Sequence, residues 1–250
     1  MSAIPNDGYD ISKIIAEVDD RGFSIIPSVI SPEKADETRG VLEKHLASES
    51  TRATVQAKSQ RVQKIAVKDP LFVELMSHPL IVSIWRAYLD KDVIYSSWTA
   101  NTSFPGFDKF LWHPDFPYGI MRQPWPGDHI SGQTIWLLDD FTDENGGTGV
   151  LPYSQRKGYP PPSEMVGEWH SDGVVLTGVR GSVMVMHGAT WHTARPNSTD
   201  KPRSALLGMY TRPFYLTQVD MRDQLRDLKN PPEIVRQLMG ENQYQPVLGE

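Results

Sequence analysis

The sequence contains no cysteine. That excludes a disulfide framework, a zinc–thiolate site, an iron–sulfur cluster and a cysteine nucleophile, and it fits a reducing compartment. Positive charge is also scarce. Lysine and arginine number 25 against 31 aspartates and glutamates, a formal net charge of -6, and the basic residues are scattered. A nucleic-acid partner calls for a basic face, so none is expected. No apolar run approaches the roughly 20 residues of a membrane-spanning helix, so no membrane partner is expected either. Met1 to Asp10 is polar and carries Asp7 and Asp10, unlike a secretory signal. The expected location is cytoplasmic. Internal repeats and low-complexity segments are missing too.

What the chain does have is turn formers and aromatics: 20 prolines, 19 glycines and 7 tryptophans in 250 residues. These suit a turn-rich β domain. The first third reads as mostly helical. An amphipathic helix covers Asp10 to Val18, and Phe23 to Pro27 alternates like a strand. Ser31-Pro32-Glu33 carries the N-cap, first-turn proline and early acid of a helix start. That helix runs to about Ser48. Thr51 to Lys68 is polar and without a clear period, so it reads as a loop that could serve as a lid. Asp69-Pro70 opens a helix pair broken at His78-Pro79. Short strands then follow, punctuated by turns: Val93–Thr102, Phe110–Asp115, Thr134–Leu138, Gly149–Leu151, Val174–Thr177, Ser182–Met186 and Ser204–Thr211. The tail from Thr217 to Met239 reads as helical, with a break at Pro231-Pro232. The expected class is mainly β with flanking α: a double-stranded β-helix (jelly roll, cupin-like) core packed by N-terminal helices. One domain is expected over 1–250, with a helical third at 1–92, the core at about 93–215 and a helical tail at 216–250.

Of the seven histidines, His45, His78, His129 and His170 sit in charged, turn or loop contexts that suggest structural roles. His113 and Asp115 differ. Side chains two apart on a strand share a face, so the imidazole and the carboxylate converge. Far along the chain, Gly181 to Asn197 ends a strand at His187 and begins another near His192. Arg203 lies eleven residues after His192, where an antiparallel hairpin would return it to the same place. Two histidines and one carboxylate on an octahedral face hold Fe(II) and leave three positions open. 2-Oxoglutarate fills two and O2 the third. The far carboxylate of 2-oxoglutarate needs a fixed cationic fork, which arginine provides. His187 is a rival for the distal ligand.

With these motifs in order, the chain resembles the phytanoyl-CoA dioxygenase family of Fe(II)/2-oxoglutarate oxygenases. Asp20 to Pro27 is similar to its N-terminal element and Trp112-His113-Pro114-Asp115 to its metal triplet. Gln133 to Asp140 with Glu144 to Thr148 is similar to its central strand and turn. Trp191-His192 to Asn197, followed by Arg203, is similar to its distal motif. The resemblance implies iron ligation by His113, Asp115 and His192, with Arg203 on the distal carboxylate of the cosubstrate. It also implies cosubstrate-side roles for Thr134, Trp136 and Ala194. The family often has Gln two residues before the first ligand, where this chain has Leu111, so Thr134 or Asn101 is expected to supply the inner hydrogen bonds. Gln155 also departs from the family's usual histidine. Related halogenases lack the carboxylate, so Asp115 favours oxygenation, desaturation or ring formation. Expected substrate walls are Trp98, Phe104, Phe116, Tyr118 and Tyr210, with Phe110 and Trp125 beside them and Arg122 clasping a small molecule. Two other readings are a jelly roll that binds metal and 2-oxoglutarate without turnover, and a zinc hydrolase, which would lack an evident general base. A small molecule of specialised metabolism is the expected substrate.

Overall fold

The computed structural model of the chain describes residues 8–243; the first seven residues and the last seven of the expected tail lie outside them. Helices and strands are numbered in chain order. Asp10 caps α1 (Ile11–Arg21), its side chain accepting from Lys13 N–H at 3.1 Å, and Gly22 ends it at φ 94°. That left-handed turn needs glycine, and it sends the chain straight into β1 (Phe23–Ile26). Ser31 caps α2 (Pro32–Ser48), and Asp69 caps α4 (Pro70–Met76), each with proline in the first turn. Between them lie α3 (Arg52–Ala57) and β2 (Ser59–Val62). After α5 (Pro79–Tyr88) come β3 (Ile94–Ser103), β4 (Ser131–Leu137), β5 (Gly149–Val150) and β6 (Val174–Val175). Then follow β7 (Val183–His187), β8 (His192–Thr193), β9 (Arg203–Thr211), α6 (Arg222–Leu225) and α7 (Glu233–Leu238).

The strands form two antiparallel sheets, a six-stranded one in the order β1-β7-β4-β9-β3-β2 and a three-stranded one in the order β6-β5-β8. This is a jelly roll, with the large sheet covered on its outer face by helices. Strand alternation divides the large sheet cleanly. Tyr95, Trp98, Ala100, Trp136, Val183, Val185, Leu206 and Tyr210 face the helices and pack with Phe72, Ile81 and Trp85. Ile135, Leu137, Met184, Met186 and Ala205 face inward and pack with Phe141, Val150 and Leu176. A bulge between Tyr95 and Ser97 in β3 breaks the alternation once. It places both Tyr95 and Trp98 on the helix side and leaves Ser97, Thr99 and Asn101 for the inside. Two indole N–H groups of the helix-side core find acceptors: Trp85 Nε1 donates to Thr134 Oγ1 at 2.7 Å and Trp98 Nε1 to Phe72 O at 3.2 Å.

Two expectations need correction. Thr51 to Lys68 is not a loop. It contains α3 and β2, and β2 pairs with β3 as the edge strand of the large sheet. Val62, Ile65 and Ala66 are buried there, so the segment is fixed rather than a lid. Phe110 to Asp115 is not a strand; its β-pairing is an isolated bridge at His113. No helix among the described residues is long and apolar enough to cross a membrane.

The closest backbone approach in the core gives a stability test. The Trp85 ring stands over Gly132 in β4, and a Cβ there would lie 2.0 Å from a ring carbon. Trp85 is itself held by its stack on Tyr210 at 5.3 Å and by Thr134. Gly132→Ala is expected to lower unfolding free energy by about 1–3 kcal/mol through overpacking. Gly40→Ala, in the open interior of α2 with nothing within 4 Å, is expected to raise it by about 0.4–1 kcal/mol. Urea midpoints at constant m-value check both.

Candidate metal centre

The backbone brings distant residues together first. His113 N–H donates to His192 O, and His192 N–H donates to His113 O, both at 3.0 Å. Residues that exchange both hydrogen bonds in an antiparallel bridge present their side chains on one face. The two imidazole centroids lie 4.3 Å apart. Two residues on, Asp115 N–H donates to Gly188 O at 2.8 Å, which fastens this residue to the turn between β7 and β8.

The imidazoles are then oriented. His113 Nδ1 lies 2.6 Å from Leu111 O, and His192 Nδ1 lies 3.0 Å from Thr190 O. A carbonyl can only accept, so Nδ1 carries the proton in both rings and Nε2 keeps its lone pair. His192 Nε2 is 3.8 Å from Asp115 Oδ1, and Asp115 Oδ2 has no hydrogen-bond partner. One ligand atom from each of His113, Asp115 and His192 falls within 4.8 Å of the others. Asp115 and His192 are buried; His113 reaches solvent at the cavity mouth. Burial holds both histidines below the usual imidazole range, with His192 adding to the effect on His113. Burial pushes the Asp115 carboxyl up to about 6, against the pull of His113 and Arg61. Two neutral nitrogen donors and a carboxylate on one side of an open space make a facial site for a divalent transition metal.

A cavity of about 250 Å³ opens on these three residues. Arg203 enters it from the start of β9. It is 4% exposed, its Cζ lies over the Phe141 ring at 4.4 Å from the centroid, and Nη2 donates to Ser103 Oγ at 3.0 Å. Its Nε has no partner. Burial lowers its pKa to about 10, with Asp139 opposing, so it stays charged at neutral pH. Thr99 Oγ1 and Gln133 Oε1, also in the cavity wall, are buried without partners. Unpaired buried polar atoms are costly; Arg203 Nε and Thr99 Oγ1 can donate to an anionic guest, Asp115 Oδ2 is free for a metal, and Gln133 Oε1 is a further open acceptor in the wall.

Asn101, Phe116 and Ala194 line this cavity with the triad and Arg203. Other expected residues do not. Thr134 and Trp136 have the opposite parity on β4: Thr134 Oγ1 accepts from Trp85, and Trp136 packs in the helix-side core. Trp98 and Tyr210 are buried in that same core, and Phe104 packs at its margin. Tyr118 belongs with Trp125 and Ile130 in a separate cluster. Phe110 packs near Trp169, at 6.0 Å between ring centroids. Arg122 is exposed on its loop, outside the cavity wall. His187 is not a rival ligand. Its Nδ1 accepts from Ala189 N–H at 2.9 Å, and its ring faces Tyr118 and His129.

Arg203 does not arrive by a hairpin from His192. β8 lies in the small sheet and β9 between β4 and β3 in the large one. The two residues meet across the roll, from facing sheets. The sequence reading also missed Arg61, Thr99, Gln133 and Thr148, all in the wall. For Gln133 and Thr99 the signal was strand parity, two residues apart from Ile135 and Asn101.

The phytanoyl-CoA dioxygenase family matches residues 18–205. An uncharacterised protein of Mycobacterium tuberculosis is 26% identical over 233 residues, 88% of this chain and 82% of that one. An ectoine dioxygenase of Nocardia farcinica is 26% identical over 225 residues, 77% of this chain and 75% of that one. The fold is similar to that of HygX from Streptomyces hygroscopicus, solved with nickel and 2-oxoglutarate bound. That similarity has a TM-score of 0.69 at 14% identity, over 86% of this chain and 90% of that one.

The raised Asp115 pKa predicts a pH dependence for metal affinity. Metal needs the carboxylate, so a proton competes only below the pKa of about 6. Burial shifts both histidines down, which favours their neutral, metal-binding form. Mn(II) affinity is therefore expected to be flat above pH 6 and to fall about tenfold per pH unit just below it. A Mn(II) titration followed by electron paramagnetic resonance across that range checks this, and a midpoint near 4 would contradict it.

Proposed function

The chain belongs to the phytanoyl-CoA dioxygenase family and is a non-haem iron, 2-oxoglutarate-dependent dioxygenase, and from that premise we propose that it oxidises an unactivated C–H bond of a small organic molecule. The outcome is hydroxylation, or desaturation or ring closure at the same carbon, and the setting is specialised metabolism. The observation that carries this reading is the convergence of His113, Asp115 and His192 within 4.8 Å on a cavity that also holds buried Arg203, whose Nε has no partner.

Each residue has a role that follows from its contacts. His113 and His192 present Nε2 to the iron because Leu111 O and Thr190 O hold their Nδ1 protons. Asp115 supplies the charged ligand, and its backbone bond to Gly188 sets its position. Arg203 receives the distal carboxylate of 2-oxoglutarate, with Ser103 and Phe141 keeping the guanidinium in plane. Thr99 and Gln133 offer hydrogen-bonding atoms to the same guest. Iron with 2-oxoglutarate and O2 supplies the oxidising power, with succinate and CO2 as co-products of the oxidised substrate. The chain's own work is to orient these groups and to keep water from the reacting carbon.

Leu111 explains how the cavity works without the family's glutamine at that position. Its side chain is 52% exposed, and its backbone is what matters: the N–H donates to Thr193 Oγ1 at 2.6 Å and the carbonyl holds His113. Inner contacts to the cosubstrate therefore fall to the wall residues Asn101, Thr99 and Gln133.

Wild-type protein with Fe(II) and 2-oxoglutarate under air is expected to release succinate, and His113→Ala and Asp115→Ala to release none above background. With Mn(II) in place of iron, Arg203→Gln is expected to weaken 2-oxoglutarate about ten- to hundred-fold, the loss of a charge-assisted pair. Equal succinate release by wild type and the triad variants would remove the oxygenase assignment.

A further inference from the structure

Resting on the oxygenase reading, we propose that Arg61 is the anchor for the primary substrate, and that this substrate is an organic acid whose carboxylate pairs with the Arg61 guanidinium at the mouth of the metal cavity.

Register fixes where Arg61 points. In β2 it lies opposite Asn101 of β3, and directly paired residues on neighbouring strands share a face. Asn101 lines the cavity, and so does Arg61. Its neighbours point the other way: Gln60 donates to Leu46 O at 3.0 Å on the helix side, and Val62 is buried in the helix-side core. Arg61 is thus the exposed member of an otherwise buried strand, and it is turned towards the triad. It acts electrostatically on Asp115, His113 and His192 alike. Among the described residues no side chain makes an ion pair with it, and no hydrogen bond is made by its guanidinium.

Charge balance shows what is missing. The charged residues of the wall are Arg61, Arg203 and Asp115, and histidines that hold a metal are neutral. Asp139, the acid that acts on Arg203, is already tied to Arg39. Ferrous iron and two arginines bring four positive charges. Asp115 and the two carboxylates of 2-oxoglutarate bring three negative ones. Arg203 and the iron account for the cosubstrate, so the remaining positive charge belongs to Arg61. A single carboxylate cancels it, whereas a phosphate ester, nearer two charges at neutral pH, would overshoot. The planar guanidinium also matches a carboxylate in bidentate geometry, which fixes the acid end while the chain of the substrate lies over the metal. The cavity of about 250 Å³ is small for a cosubstrate and a whole second molecule. The substrate therefore extends outward past Phe116 and the exposed Leu111.

The test uses full-length protein loaded with Mn(II) and saturating 2-oxoglutarate. Benzoate, phenylacetate, hexanoate and decanoate are each titrated beside their primary amides by calorimetry, with the 2-oxoglutarate Kd measured separately for every variant. At least one acid is expected to bind about tenfold or more tightly than its amide, the scale of one charged hydrogen-bonded pair. Arg61→Gln is expected to abolish that preference and Arg61→Lys to restore part of it, both leaving the 2-oxoglutarate Kd within about twofold. The proposal is overturned if no acid outbinds its amide, or if the preference survives in Arg61→Gln. It is also overturned if Arg61→Gln weakens 2-oxoglutarate as Arg203→Gln does, which would make Arg61 a cosubstrate contact. Failure of wild-type protein to bind 2-oxoglutarate at all would remove the oxygenase reading itself and is seen before any acid is added.

Discussion

The reciprocal pair of backbone hydrogen bonds between His113 and His192 is the contact on which the site depends. Neither flanking segment is a long strand. β8 is two residues, and the chain before Asp115 makes its β-pairing only as an isolated bridge. Two imidazoles side by side in a partly buried position gain little from one another. Main-chain bonds make up for this, because backbone groups so placed must be paired in any case. The bridge therefore sets ring spacing without asking the rings to attract. Leu111 O and Thr190 O then settle the tautomers, and Gly188 O places the acid. All three of these orienting acceptors are main-chain carbonyls. Side-chain substitutions around the site leave them in place, so the geometry belongs to the fold rather than to a particular set of neighbours.

The large sheet then divides the molecule into a side that folds and a side that reacts. Its helix-facing row is aromatic and aliphatic and is packed shut. Its inner row carries hydroxyls, amides and Arg203 at the same alternate positions where the other face carries Trp98, Trp136 and Tyr210. The order of the elements and the triad could be read from the sequence, because capping residues, proline and short strands are local signals and His-Pro-Asp is compact. Which side of β4 faces the cavity could not. Every residue from Ser131 to Leu137 is buried, so apolarity does not mark a face, and Thr134 and Trp136 were as plausible as Gln133 and Ile135. In β3 the bulge at Ser97 shifts the phase as well. Phase in a doubly buried strand is a property of pairing, which depends on residues far away.

Arg61 was hidden for a related reason. β2 has one apolar residue, Val62, in four, and follows the polar α3. It is a strand because β3 offers it an edge, not because its own sequence prefers one. Likewise the approach of Arg203 to the triad was expected from a hairpin and comes instead from opposition of two sheets. The conclusion that an arginine stands in the cavity survived, and the route to it did not. Spacing along the chain constrains local turns, whereas a jelly roll joins residues through its closure.

The electrostatics of the cavity follow from this closure. Arg203 is held charged in a buried place with its Nε unpaired, and Asp115 is pushed towards its neutral form. A metal cation favours the Asp115 carboxylate and takes the histidines in their neutral form, towards which burial shifts them. A dicarboxylate gives Arg203 an acceptor for its Nε, which no residue engages. Asp115 is the acid of the wall, and it faces the metal rather than Arg203. An acid side chain beside Arg203 would close the site to 2-oxoglutarate. The same reasoning applies to the second arginine of the wall. Among the described residues Arg61 makes no ion pair, and under the carboxylate-anchor proposal its charge is kept for the molecule to be oxidised.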